Sequence, residues 1–408
     1  MRFNLNQLAV PLKIIQAIAQ ITHAVMDEKQ YADKVFEAYF KNHRSLSSTD
    51  TGFIVHEVNH LIRNWRLLIE IQSKLKLGSA NDIEALLNIA WIISKKPESD
   101  KRVVNQVQRN QVLEAYRGFA DNRAVLHSFP NWIDNVGDNE LTERWPVILN
   151  ALKQEPRIVI RANTIKCAKD KLRKALQNQG VMTEAHSKAI DALIFISKLN
   201  VFKLPEFKQG FFEMQDISSQ LVGHFANPQP GMRVIDGCAG NGGKTLHLAS
   251  LMQNKGRIIA LDLFPGKLDT LRCRASRAGI SIIETRAIDT TKVIKRLHGT
   301  ADLVLLDVPC SGLGVLKRNP EIKWRLQPND LENLKKTQEE ILHRYSLMVK
   351  PGGKLIYSTC SILSSENSQQ IQKFLENHRD KFEFVEERFI SPEEGFDGFY
   401  MASLKRRK

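Results

Sequence analysis

Residues Asp236-Gly-Cys-Ala-Gly-Asn-Gly-Gly-Lys244-Thr245 decide how this chain is read. They follow an apolar run, Arg233 to Asp236, and precede a helical pattern from Leu246 to Met252. A strand, a glycine-rich turn and a helix in that order bring backbone N–H groups and a helix N-terminus against a ligand, either a phosphate or a nucleoside. The phosphate-binding P-loop needs glycine where Cys238 stands, and Gly237 is one place off, so an NTPase is a near miss. The next apolar run ends in Ala260-Leu261-Asp262, about twenty residues on, the spacing at which an acid accepts hydrogen bonds from ribose hydroxyls. Asp289, after the third run, is placed to meet an adenine edge. Each acid alone reads as a cap or a surface group. Three acids at successive strand ends, beside the glycine turn, read as the cradle of a nucleoside cofactor.

Outward from this turn, strands are expected at Arg257 to Leu263, Ser281 to Thr285, Asp302 to Asp307 and Lys354 to Thr359, with helical stretches between them. That alternation predicts an α/β domain over 216–408 with a doubly wound, mostly parallel sheet and its ligands at the carboxyl ends of the strands. The fourth strand delivers Asp307-Val-Pro-Cys310-Ser-Gly312 and the fifth Tyr357-Ser-Thr-Cys360-Ser361. A lone cysteine is ordinarily a small buried apolar group, the reading kept for Cys167 and Cys273. Two at strand ends beside a cofactor turn reverse that reading.

Residues 126–215 hold a joint at Ser128 to Trp132, one more helix, and a small α+β module with a β-rich run at Arg157 to Asn163 and a helix at Lys169 to Gly180. Residues 1–125 read as all-helical. Ile14, Ile18, Ile21, Val25 and Ile54, Val58, Leu61, Trp65, Leu68 recur at steps of three and four within a pattern that starts at Leu5, and further helices are expected at Tyr31 to Phe40 and Asp82 to Ser94. His56-Glu57-Val58-Asn59-His60 matches the HExxH zinc form, but at helical spacing both histidines point away from the apolar stripe, toward solvent, so no metal is expected there.

With 59 Lys and Arg against 45 Asp and Glu, the net charge of +14 favours a polyanionic partner, nucleic acid before an acidic membrane. Five widely spaced cysteines without a CxxC pair argue against disulfides and a cysteine-ligated zinc. No stretch reaches the ~20 apolar residues of a membrane span, and a cytoplasmic, reduced, monomeric protein is expected.

The chain resembles the RNA cytosine-C5 methyltransferases of the RsmB/Nop/NSUN type. The matching pieces are Arg161-Ala-Asn-Thr-Ile-Lys166, Gln215-Asp-Ile-Ser-Ser-Gln220, the glycine turn, Asp307-Val-Pro-Cys-Ser-Gly-Leu-Gly314, Arg318-Asn-Pro-Glu-Ile-Lys-Trp324, Tyr357-Ser-Thr-Cys-Ser361 and Asp397-Gly-Phe399. One departure is that Gly240-Asn241 stands where the family has Ala-Pro, which makes the turn less stiff. The resemblance implies a Rossmann-like class I methyltransferase domain, a small RRM-like module and a NusB-like, RNA-binding helical domain. It implies S-adenosylmethionine as cofactor, held by Cys238, Ala239, Gly240, Asn241, Gly242, Gly243, Lys244, Asp262, Asp289 and Asp307.

The chemistry it implies is addition of the Cys360 thiolate to carbon 6 of a cytosine, which makes carbon 5 nucleophilic, with Asp307 on the base and Cys310 assisting release. A thiol of pKa ~8.5 is a few per cent ionised at neutral pH, so such a nucleophile needs a helix N-terminus or a cation beside it. The base must be single-stranded or flipped out, and Arg161, Asn163, Lys166, Arg318 and Lys323 are candidate RNA contacts. Small-subunit (16S) ribosomal RNA is the expected target. Transfer RNA, a catalytically silent ribosome assembly factor, an RNA-dependent ATPase and a zinc peptidase built on His56 and His60 are the rival readings.

Overall fold

A computed structural model describes residues 10–79, 81–94, 106–197 and 199–408; the expected helix start at Leu5 lies outside them. The chain divides into two compact units, Met1–Lys153 with Leu316–Gln327, and Gln154–Val315 with Pro328–Lys408. Neither the expected boundary at 125/126 nor that at 215/216 coincides with this division. Trp145, Ile148 and Leu149 are buried with the helices before them, and Trp145 lies edge-on to Phe129.

The first unit is helical, built on Leu12–Met26, Ala32–Asn42, Ser48–Leu75, Ile83–Ile93, Gln106–Arg117 and the shorter Arg123–Leu126, Asn131–Leu141 and Trp145–Leu152. Its core contains the stripe residues Ile14, Ile18, Ile21, Val25, Ile54, Val58, Leu61 and Leu68. The long helix Ser48–Leu75 opens with a reciprocal capping box between Ser47 and Asp50. Midway it is gripped from outside. The Ser128 hydroxyl accepts from the Arg66 and Leu67 N–H groups, while the carbonyls one turn earlier, Ile62 and Arg63, accept from the Trp324 indole and the Lys323 ammonium. These are the groups that ordinary i to i−4 bonds would pair with each other. Segment 316–327 is thereby built into the helical unit.

Two expectations are corrected here. Lys323 is 2% exposed and its ammonium is spent on the Arg63 carbonyl and the face of Phe129, 4.4 Å away, so it has no face for RNA. Burial, and then the Arg63 and Lys153 charges, push its pKa well down. The histidines of the HExxH pattern are half-buried rather than turned to solvent. His56 pairs with Glu57 at 3.0 Å and His60 with the Ser94 hydroxyl at 3.1 Å. Glu57 is fully buried and accepts from the Trp91 indole at 2.9 Å, a core contact.

The second unit holds two sheets. In the first, β1 (Val159–Ala162), β2 (Thr183–Ala185), β3 (Ala192–Phe195) and β4 (Phe212–Met214) run in the antiparallel order β2-β3-β1-β4. The helix Lys169–Asn178 buries Leu172 and Leu176 in a core shared with Phe195 and Phe212. In the second sheet, β5 (Arg233–Asp236), β6 (Arg257–Asp262), β7 (Ile283–Ala287), β8 (Ala301–Asp307), β9 (Val349–Thr359), β10 (Phe382–Ile390) and β11 (Phe399–Arg406) take the order β10-β11-β9-β8-β5-β6-β7. The five strands from β9 to β7 are parallel, and β11 and β10 add an antiparallel edge. The third expected strand forms two residues later than its pattern indicates, ending at Ala287. β5 has β8 on one side and β6 on the other, so the crossovers diverge at its carboxyl end, where such sheets bind ligands.

Candidate active site

β5 ends at Asp236, whose burial pushes its carboxyl up to about 7 and whose Oδ2 accepts from the Thr245 hydroxyl at 2.7 Å. The turn between them closes by backbone bonds to its neighbours, Gly237 N to the Leu305 carbonyl and Ala239 N to that of Leu261, both 2.8 Å. Gly242 has φ +84°, and a Cβ there would come within 2.0 Å of Leu271, so only glycine lets the turn settle on the helix Pro265–Ala278. Nothing crowds Gly240 or Gly243 within 4 Å, and the helix Gly243–Leu251 starts from this open stretch.

Asp262, at the end of β6, is where the sequence placed it. Its Oδ2 accepts from Gly240 N at 2.8 Å and its Oδ1 from Phe264 N at 2.9 Å. A carboxylate has about four lone-pair sites, so two remain for ribose hydroxyls. Asp289 is exposed just beyond the end of β7, where Ile288 N is bonded to the Asp262 carbonyl. An open turn, a helix N-terminus and acceptors at successive strand ends fit a nucleoside cofactor. Cys238 is half-buried near Asp236, Asp307 and Asp262; desolvation and then those charges hold its thiol well above the usual range, which suits an inert wall.

The next two strands bring two cysteines together. Cys310 and Cys360, after β8 and β9, stand with their sulfurs 3.3 Å apart. The hydrogen bond to Cys360, and then burial, push the Cys310 thiol well up. Beside them the Lys244 ammonium reaches Asp307 Oδ2 at 2.7 Å, and the Ser358 hydroxyl donates to Asp307 Oδ1 at 3.0 Å. Burial opposes the charge on Lys244, but Asp307 and the Cys360 sulfur outweigh it and raise its pKa. This cation is the lysine of the glycine turn, 4.8 Å from the Phe399 ring.

What holds the two cysteine loops in place was not apparent in the sequence. Glu366 is fully buried, and its Oε1 accepts from Ser311 N at 2.8 Å and Gln338 Nε2 at 2.9 Å. Its Oε2 accepts from the hydroxyls of Ser311 and Ser361, the serines that follow the two cysteines. The Tyr357 hydroxyl donates to the Glu366 carbonyl, and Asn367 bonds Thr359 and the Ser361 carbonyl. The signal available was the repeated Cys-Ser pair at 310–311 and 360–361. The late Asp397-Gly398 is also structural. Gly398 N donates to the Gly314 carbonyl and Gly314 N to that of Cys360, at 2.8 and 2.9 Å, a crossing that a Cβ on Gly314 would block at 2.1 Å.

The expected RNA contacts of the small module are largely turned inward, a further correction. Arg161 is 1% exposed; it donates to Gln215 and, at 2.9 Å, to the Gly243 carbonyl, bracing the cofactor turn. Burial, before its neighbouring charges, pulls that guanidinium down to about 10. Asn163 is buried and donates to the carbonyls of Gly210 and Ala278, both at 2.8 Å. Lys166 is exposed, yet its ammonium caps the Arg277 carbonyl at the end of the helix Pro265–Ala278 and reaches Gln209. A desolvated donor must find an acceptor, and here the acceptors are main-chain carbonyls. Arg318 is half-buried.

The model of the 16S rRNA methyltransferase RsmB/F family matches residues 224–405, and that of the RsmF/B-like ferredoxin-like domain matches residues 129–202. The probable ribosomal RNA small subunit methyltransferase B of Synechocystis sp. is 33% identical over 299 residues, 69% of this chain and 67% of that protein. The chain belongs to the RsmB/F family. The ribosomal RNA small subunit methyltransferase B of Proteus mirabilis is 30% identical over 319 residues, 78% of this chain and 75% of the relative. In fold, the chain is similar to the crystal structure of PH0851, with a TM-score of 0.81 at 23% identity over 98% of this chain and all of that one. NSun6 from Pyrococcus horikoshii gives 0.63 at 20% identity, over 69% of this chain and 100% of that chain. The second sheet of this RsmB/F member is therefore a Rossmann-like methyltransferase domain, and its cofactor is S-adenosylmethionine. No helix among the described residues is long and apolar enough to cross a membrane.

Proposed function

We propose that this chain methylates carbon 5 of a cytosine in small-subunit ribosomal RNA through a covalent bond to Cys360. The observation that carries the reading is the pair of sulfurs, Cys310 and Cys360, 3.3 Å apart beside the Lys244–Asp307 ion pair. Cysteines after adjacent strands serve addition and release better than they serve packing, since both keep some exposure.

Cys360 as thiolate forms a bond to carbon 6, and the electrons of the C5–C6 double bond move toward carbon 5 and the ring. Lys244 supplies the positive charge that favours the thiolate, and Asp307, held on both oxygens by Lys244 and Ser358, presents a fixed acceptor to the exocyclic amine of the base. Bound S-adenosylmethionine supplies an electrophilic methyl group on its sulfonium. Once carbon 5 carries the methyl, its proton leaves to solvent, the electron pair restores the double bond and the S–C6 bond breaks with its electrons on Cys360. Cys310, which keeps its proton, is placed to donate a hydrogen bond to that departing thiolate. The cradle for the cofactor is the turn 238–244 with Asp262, and Asp289 stands at its rim. The helical unit is proposed as an RNA-binding domain, on its membership of a family of ribosomal RNA enzymes.

The test separates the two cysteines. Cys360→Ala forms no adduct and transfers no methyl to ribosomal RNA in bisulfite sequencing. Cys310→Ala still adds and methylates, then stalls as a protein–RNA conjugate that survives a denaturing gel. A conjugate in Cys360→Ala and none in Cys310→Ala exchanges the roles, and wild-type protein that leaves every ribosomal cytosine unmethylated overturns the reading.

A further inference from the structure

The helix that starts at the cofactor turn carries, three residues after Lys244, a histidine with no part in that turn. His247 is fully buried, and neither of its ring nitrogens has a hydrogen-bond partner. It packs against the neighbouring helix Ile217–Ala226, where a Cβ on Gly223 would come within 2.4 Å of its Nδ1. From that helix comes His224, whose Nε2 is also buried without a partner. Asp191, the residue before β3, completes the group, with its Oδ2 3.6 Å from His247 Nε2 and 3.8 Å from His224 Nε2.

These separations are too long for N–H···O bonds, which lie at about 2.7–3.2 Å. They suit donor atoms around one ion. Tetrahedral bonds of ~2.0–2.1 Å place neighbouring ligand atoms about 3.4 Å apart. The rings are set edge to face, 87° between planes and 4.9 Å between centroids, so their nitrogens converge without stacking. Among the described residues, no other group of three or more His, Cys, Asp or Glu side chains converges in this way. Arg161, the cation felt by Asp191 and His247, is engaged on Gln215 and the Gly243 carbonyl. The side chains of Asp191 and His224 keep 12% and 19% exposure, an entry path.

We propose that Asp191, His224 and His247 bind a single zinc-type divalent ion, with a fourth position open to water. Two imidazoles and one carboxylate suit that ion. The site clasps β3 of the small sheet to the two helices behind the cofactor turn, all within the second unit. Residues 191, 224 and 247 come from three separate elements, so the metal-ligand spacings sought in the sequence could not reveal them.

The test uses the full chain, stripped with chelator and titrated with zinc in a calorimeter and with cobalt in an absorption cell. One equivalent is expected to bind, and the cobalt complex to show tetrahedral bands without the thiolate charge transfer that Cys310 and Cys360 would add. His224→Gln, which keeps a polar side chain of similar reach, should weaken binding by at least about a hundredfold, since even outer-shell partners are worth roughly ten- to a hundredfold. Asp191→Asn should do likewise. Equal affinity in wild type and His224→Gln, thiolate bands alone, or no binding each overturns the site and leaves a buried Asp–His contact with no ion.

Discussion

Around the cysteines, the loops after β8 and β9 converge on one buried carboxylate, Glu366, which takes the hydroxyls of Ser311 and Ser361 and the Ser311 N–H. Around the cofactor turn after β5, separate side chains grip the main chain alone: Asp262 takes the Gly240 N–H, Arg161 the Gly243 carbonyl and Arg274 the Asn241 carbonyl. The difference follows the tasks. On the proposed function, a sulfur that adds to one carbon needs its neighbours locked in a dry interior, where an unmade hydrogen bond costs most. A cradle that admits and releases a whole nucleoside needs its amides open, so it is shaped from behind.

Breaking the locked half should cost the most. Glu366→Ala leaves Ser311, Ser361 and Gln338 without their acceptor in a buried place, each worth about 1–3 kcal/mol, so a loss of at least about 3 kcal/mol is expected in the urea midpoint, together with the methyl transfer rate. An unchanged midpoint would erase the contrast. On the open half, Asp262→Ala should weaken S-adenosylmethionine by about 1.5–3 kcal/mol, roughly ten- to a hundredfold in calorimetry, with little change in the melting of the unliganded chain. Smallest is Gly240→Ala. Its φ of +54° disfavours any side chain, yet nothing lies within 4 Å, so the cost is conformational alone, about 1 kcal/mol or roughly fivefold in cofactor affinity. A larger loss than in Asp262→Ala would show that the turn's shape, not the carboxylate, does the holding.

The turn, β5, β6, β8 and β9 were legible because buried parallel strands are short apolar runs ended by a glycine or an acid. β10 was missed. Its inward positions are separated by Glu383, Glu386, Glu387 and Arg388, and an edge strand with that many charges reads as solvated surface. The meeting of Cys310 and Cys360 was legible through strand ends and family motifs together. Glu366 was not, since its meaning rests on a serine 55 residues away. Arg161, Asn163 and Lys323 were misread for one reason. Residue type announces a donor, but only the fold says whether a phosphate or a nearby carbonyl will accept.

The grip on the helix Ser48–Leu75 has a consequence for synthesis. The helical unit is not finished when its own stretch has left the ribosome, because Lys323 and Trp324 are made only after residues 154–315. Until then the carbonyls of Ile62 and Arg63 lack their outside donors, and closing so long a loop carries an entropic toll that grows slowly with its length. Completion of the first unit is thus chained to emergence of the second, and the segment that closes it follows the Cys310 loop by only a few residues. A nascent chain cut short before residue 316 would carry an unclosed helical unit, which makes the last-built seam a checkpoint on the length of the product.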